Sequence, residues 1–140
     1  MINFLIVTHG EFGAYLIEAA ESIVGRQDDG IRAVSISPRL SLSEMRAHLK
    51  KDVEELRKSG GLIVLIDMPG GTPGNLSIPL VDAMPDVSIV SGVNLYMLIS
   101  AFRYRAHSSV AELTERLVKD GQKSIQDIRL LFKNATHCAH

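Results

Sequence analysis

Leu62-Ile63-Val64-Leu65-Ile66 is an unbroken apolar run, fenced by Ser59-Gly60-Gly61 before it and Asp67 after it. Five residues are too few for a buried helix and about right for a strand. The run does not alternate with polar residues, so neither face of the strand is left for water. Such a strand belongs inside a parallel sheet covered by helices on both faces. The question is whether the rest of the chain supplies those layers.

It does, in alternation. Residues 2–7, 31–36 and 87–90 read as three further short strands. Residues 11–24 carry Phe12, Tyr15, Leu16, Ala19, Ala20 and Ile23 at helical spacing, and Gly25 follows where a helix-terminating glycine belongs. Ser41 with Glu44 three residues on reads as a capping box that opens a helix to about Arg57. A short helix is expected over 75–83, with Pro79 awkwardly inside it. Helical segments follow at 95–104 and 109–119. Residues 124–132 read as strand or helix, the spacing of Ile125, Ile128, Leu131 and Phe132 favouring helix. The pattern βαβαβαβ means an α/β fold, an open and mostly parallel sheet with helices on both faces. Strand order 2-1-3-4 is expected. In that order the first and third strands, which carry the suggestive residues at their carboxyl ends, flank the topological switch point where a crevice opens.

With 140 residues the chain has the size of one domain, expected over residues 1–133, with 134–140 as a flexible tail. The hydrophobic share of 46% and charged share of 22% exclude a disordered chain. A net charge of -1 gives no basic surplus for nucleic acid. Cys138 is the only cysteine, so no intrachain disulfide can form, and a reducing compartment is the simpler reading. The N-terminal apolar run has no basic residues before it and ends at Thr8, as in a buried strand and unlike a signal peptide. No run approaches the roughly 20 apolar residues of a membrane span. A cytoplasmic protein is expected.

Two strand ends carry the chemistry. One gives Thr8-His9-Gly10, the other Asp67 and the loop Gly70-Gly71-Thr72-Pro73. If these strands are neighbours, His9 and Asp67 face each other. The imidazole can donate one ring N–H to the carboxylate, which fixes the tautomer and leaves the other nitrogen free to attack. No serine or cysteine has an evident role as nucleophile, so the imidazole itself is the candidate. Gly70 and Gly71 let a backbone with exposed N–H groups come close, and the Thr72 hydroxyl adds a donor. The following helix could aim its N-terminus at the site, and Gly10 adds backbone donors beside His9; together these would hold phosphoryl oxygens. No lysine follows at Walker A spacing, which argues against a nucleotide. Taken singly, each feature has a plain structural reading. His9 could be a surface residue, Asp67 a turn residue, Gly70-Gly71 an ordinary loop and Thr72-Pro73 a helix start. Their joint placement at one crevice is what points to phosphate chemistry. Phe12, Met68 and Pro69 lie nearby as part core, part docking surface. His48 and His107 read as solvated and loop residues. The tail His137-Cys138-Ala139-His140 has soft-metal residue types but reads as a frayed terminus. No metal and no cofactor are expected.

Three stretches resemble the IIA domain of the mannose/fructose/sorbose class of the bacterial phosphotransferase system. They are Ile6-Val7-Thr8-His9-Gly10, then Leu65 through Asn75, then Ser91-Gly92-Val93-Asn94-Leu95-Tyr96-Met97-Leu98. The resemblance runs to about Gly121. It implies a phosphohistidine at His9, with the phosphate on the ring nitrogen facing away from Asp67. It also implies Asp67 as orienting carboxylate and Thr72 in contact with the phosphoryl group. By the same resemblance, phosphate arrives from the small carrier HPr and passes to a IIB domain. No linker or IIB domain follows in this chain, so that acceptor is expected as a separate chain. Membrane contact would be indirect, through a permease complex. The family resemblance implies a homodimer with an exchanged antiparallel C-terminal strand, for which 124–131 is the candidate despite its helical look. Two relatives of this function stay open. One is a regulatory switch that binds a transcription factor or kinase according to His9 phosphorylation. The other is a phosphoryl donor to a dihydroxyacetone kinase. A small-molecule-binding α/β domain with no covalent step is the reading of a different class.

Overall fold

The computed structural model describes residues 1–138. Four strands, β1 (Asn3–His9), β2 (Ile31–Ile36), β3 (Leu62–Ile66) and β4 (Val87–Ser91), form one sheet in the order β2-β1-β3-β4, parallel throughout. Helices α1 (Phe12–Val24), α2 (Leu42–Leu56), α3 (Thr72–Val81), α4 (Leu95–Tyr104) and α5 (Val110–Lys123) cover it. The expected fold class and strand order are the observed ones.

Alternation along β1 and β3 divides the interior in two. Phe4, Ile6, Ile63 and Leu65 pack against Ala20, Leu98, Phe102 and Leu113 under α1, α4 and α5. Leu5, Val7, Leu62, Val64 and Ile66 pack against Met45, Leu49, Val53 and Leu76 under α2 and α3. All five side chains of β3 are buried, because the strand has a helix layer on each side. Arg105 straps the C-terminal end of α4 to the start of the sheet. Its guanidinium donates to the Ile2 carbonyl, Gln27 Oε1 and Asn3 Oδ1, and lies over the Phe4 ring.

The ends of the helices follow local chemistry. Ser41 Oγ accepts the Glu44 N–H, Asn94 Oδ1 the Met97 N–H and Ser109 Oγ the Glu112 N–H. Helix α3 begins at Thr72, three residues earlier than expected, and Pro73 sits in its first turn. An N–H there has no helical partner, so a proline there forfeits nothing. Helices α1 and α3 differ, because Glu11 and Gly71 at their capping positions make no side-chain capping bond.

The C-terminal segment corrects one expectation. Residues 124–131 form no strand; a loop leads into α6 (Ile128–Cys138). Asp127 Oδ1 accepts the Leu130 N–H and the Asp127 carbonyl accepts the Leu131 N–H, so the start of the helix is closed locally. The helix extends past the expected domain boundary at 133; Ala139 and His140 lie outside the described residues. Ile125, Ile128, Leu130 and Leu131 are exposed. Among the described residues, no helix is long and apolar enough to cross a membrane.

Candidate active site at the β1–β3 switch point

The β1–β3 pairing ends at Val7 opposite Ile66, so Thr8 and His9 project beyond the last paired residue of β3, where Asp67 begins the loop. The helices that follow these two strands cover opposite faces, α1 on one and α3 on the other. The backbones part there and leave a crevice. Because successive strand residues face opposite ways, Thr8 turns to α1 and His9 to α3.

His9 and Asp67 meet as expected. The imidazole Nδ1 lies 2.7 Å from Asp67 Oδ2, and the same oxygen accepts the His9 backbone N–H at 2.8 Å. Asp67 Oδ1 accepts the Met68 N–H at 2.9 Å. Burial alone would raise the Asp67 pKa. The backbone and ring N–H groups of His9, helped by the Met68 N–H, outweigh it and hold the carboxyl below its usual range. Asp67 is therefore a carboxylate at neutral pH and can only accept. Nδ1 must carry the hydrogen, and in the neutral ring the lone pair sits on Nε2. The His9 side chain is 49% exposed and that of Asp67 12%, so the orienting group is covered and the oriented one is open.

Gly71, the residue capping α3, lies against the other edge of the ring. A Cβ built on it would stand 2.6 Å from His9 Cε1 and 2.9 Å from Nε2. Nothing larger than glycine fits while His9 holds Asp67. Thr72 is the next residue and the first of α3, whose opening N–H groups have no partners within the helix. Gly70 faces open space. Gly10 follows His9 with φ +59°, a left-handed conformation suited to glycine, and its N–H donates to the Ile36 carbonyl. The structure thus gathers His9, Asp67 and Gly71 into direct contact, with Thr72 and Gly10 adjoining them in the chain. Gly70 stands apart.

One component was not singled out from sequence. Thr8 is 1% exposed; its Oγ1 accepts the Gly13 N–H at 3.2 Å and donates to the Gly10 carbonyl at 3.1 Å. The available signals were its place in the alternation and in the Thr8-His9-Gly10 strand end, neither of which gave it a role. His48 and His107 are exposed on α2 and in the α4–α5 connection. Among the described residues, no group of three or more His, Cys, Asp or Glu could hold a metal ion.

An open parallel α/β domain with an imidazole–carboxylate pair at its switch point, facing a helix N-terminus, defines the class. The chain belongs to the EIIA-man family, the PTS system fructose IIA component, whose profile matches residues 3–118. It is 25% identical over 126 residues to the PTS system fructose-specific EIIA component of Bacillus subtilis, covering 90% of this chain and 86% of that one. It is 24% identical to the mannose-specific EIIAB component of Escherichia coli K12, where the match covers 91% of this chain and 40% of the longer relative. Among solved structures, the PTS IIA protein associated with the fucose utilization operon of Streptococcus pneumoniae superposes with a TM-score of 0.86. The identity is 26%, over 94% of this chain and 96% of that one. The EIIA component from Streptococcus agalactiae gives 0.83 at 28% identity, over 93% and 99%. The protein is a phosphotransferase-system IIA component of the mannose/fructose class.

Two outcomes follow from this geometry. Gly71→Ala should fold with unchanged circular dichroism, because the clash falls on a half-exposed ring that can swing away. The ring should leave Asp67 when it does, and a crystal structure of the variant with the 2.7 Å contact intact would contradict this. The second concerns acid. A carboxylate with a lowered folded-state pKa contributes stability that is complete above its unfolded value, about 4, and is lost as pH falls through the folded value. The gap in Tm between wild type and Asp67→Asn should shrink as pH falls below about 4. A gap independent of pH throughout would mean the carboxylate is not stabilised by folding.

Proposed function

We propose that this protein is a cytoplasmic phosphocarrier that accepts a phosphoryl group on His9 Nε2 from phospho-HPr and passes it to a IIB domain on a separate chain. The observation that carries the reading is the Nδ1 contact to Asp67, which leaves Nε2 as the nucleophile beside Gly71 and the start of α3. Membership of the IIA family supports it.

In the forward step the Nε2 lone pair attacks the phosphorus of the donor's phosphoimidazole. The new N–P bond forms as the donor's N–P bond breaks, and that electron pair remains on the donor ring. The His9 ring gains positive character, which Asp67 stabilises through Nδ1–H. Charge on the equatorial oxygens is met by the backbone N–H groups around Gly71 and the Thr72 hydroxyl, with Gly70 leaving room; the Gly10 N–H, expected as a further donor, is instead engaged by the Ile36 carbonyl. A phosphoramidate is already a high-energy bond, so positioning is most of what the protein must supply. Onward transfer repeats the step in reverse towards the acceptor's nucleophile, and no metal or organic cofactor enters either step.

Incubation with phosphoenolpyruvate, enzyme I and HPr, in EDTA, followed by site mapping, tests the reading. Label should appear on His9 and be absent from a folded His9→Ala. Asp67→Asn should slow transfer by about 10²-fold without abolishing it. Thr72→Ala should lose less than the roughly 2.7–4 kcal/mol of a fully charged oxyanion donor, because neighbouring N–H groups and water share the load, and Thr72→Ser should lie above it in rate. Label retained on His48 or His107 of His9→Ala, or a strict metal requirement, would overturn the assignment.

We also propose a homodimer. Strand β4 ends the sheet on one side, beside a cavity of about 420 Å³ lined by Val90, Asn94, Met97, Val118 and Ile125, and α6, which follows Ile125 in the chain, exposes apolar side chains. A second copy would cover this edge. Sedimentation equilibrium should give twice the chain mass at micromolar concentration; a monomer mass there contradicts the proposal.

A further inference from the structure

We propose that Thr8 is the positioning residue of this site. Its hydroxyl, held between the Gly10 carbonyl and the Gly13 N–H, fixes the turn that presents the His9 imidazole to Asp67 and Gly71. As far as it concerns transfer, this rests on the phosphocarrier reading of His9; as far as it concerns the imidazole, it does not.

The argument begins with an unmet need. The first N–H groups of a helix have no partners inside it, and a capping side chain normally accepts one. Helix α1 has Glu11 in the capping position, and Glu11 makes no such bond. Thr8 makes it instead, from the preceding strand: Oγ1 accepts the N–H of Gly13, the second residue of the helix, at 3.2 Å. The hydroxyl hydrogen is used as well, donated to the Gly10 carbonyl at 3.1 Å. One buried hydroxyl therefore ties the strand to both the turn and the helix. The close approach needs glycine at 13, since a Cβ there would stand 3.0 Å from Thr8 Oγ1 and 3.0 Å from Ile6 Cγ2.

His9 lies inside this loop of bonds. Its own N–H is held by Asp67, the N–H of Gly10 by the Ile36 carbonyl, and the carbonyl of Gly10 by Thr8. Gly10 adopts φ +59°, and glycine has few steric reasons to stay in any one conformation. The Thr8 hydroxyl selects this one. Losing it frees the Gly10 peptide, and the ring it follows can then drift from a position only glycine at 71 allows. A misplacement of about 1 Å can slow a reaction by up to about 10²-fold. Thr8 faces α1, whereas His9 faces α3 on the other side of the sheet, so the hydroxyl acts through the turn and not on the reacting atoms.

Thr8→Val and Thr8→Ser separate the hydroxyl from the bulk. Thermal melts first establish a temperature at which both variants and the wild type are fully folded. At that temperature, nitrogen-15 spectra should show a hydrogen-bonded His9 Nδ1–H in the wild type and in Thr8→Ser, and its exchange with water should be about tenfold faster in Thr8→Val. Single-turnover phosphorylation by phospho-HPr should be slowed about tenfold at saturation in Thr8→Val, with the half-saturating donor concentration unchanged, and restored by Thr8→Ser. A Thr8→Val protein with wild-type imidazole signals and rate overturns the proposal. So does a Thr8→Ser protein as impaired as Thr8→Val, which would assign the effect to the methyl group's packing. If wild type accepts no phosphate while Thr8→Val still loses the Nδ1–H signal, the phosphocarrier reading fails and the positioning role stands.

Discussion

Asp67 Oδ2 accepts two hydrogen bonds from one residue of the neighbouring strand, the backbone N–H and the Nδ1 of His9. The first continues the β1–β3 ladder through a side chain, one step past the point where the two backbones stop pairing. The second sets the tautomer and the direction of the ring. A bond to a charged acceptor contributes about 1.5–3 kcal/mol, and here two such bonds and a third from Met68 offset the cost of covering the carboxylate. The balance shows in the lowered pKa of Asp67 despite its burial. Removing the charge would therefore loosen the end of the sheet and the aim of the imidazole together.

The crevice exists because two adjacent strands send their chains to opposite faces. Thr8 and His9 are consecutive, so they inherit that division: one closes α1, the other meets α3. Glycine marks each contact. Gly13 lets α1 sit on β1, and Gly71 lets the start of α3 reach the edge of the ring. Phe12, the first residue of α1, and Met68, in the loop after β3, are both exposed.

Much of this was legible in the residues. The unbroken run of β3 required two helix layers, and the two chemically loaded strand ends then placed β1 beside β3, which is the observed order. The His9–Asp67 contact followed from that adjacency. The start of α3 was legible only as one reading of two: the helix was expected from 75, while Thr72-Pro73 also read as a helix start, which is what forms, a proline being neutral in a first turn. At the C-terminus, the spacing of Ile128, Leu131 and Phe132 pointed to the helix that forms, and the family analogy pointed to a strand. A strand at a sheet edge needs a partner along its length, whereas a helix closes its hydrogen bonds within itself, as Asp127 shows at the start of α6. The Thr8 capping bond left no mark, because a strand residue that caps a later helix has no spacing rule of its own.

The uneven exposure of the pair bears on how a carrier proposed to serve two partners can work. Asp67 is covered and pinned at both oxygens, while half of the His9 side chain faces solvent. Nδ1 is held by Asp67, while Nε2, the proposed nucleophile, lies beside Gly71 at the start of α3. An enclosed site would strengthen every electrostatic contact to a phosphoryl group, but it would also shut out a second macromolecule. An open site gives up part of that strength and depends on rigid aim instead. Water would then be excluded only while a docked partner covers the exposed edge of His9. The residues that hold His9 still must act from behind it, and Asp67 and Thr8 both do, from the sheet and from its far side.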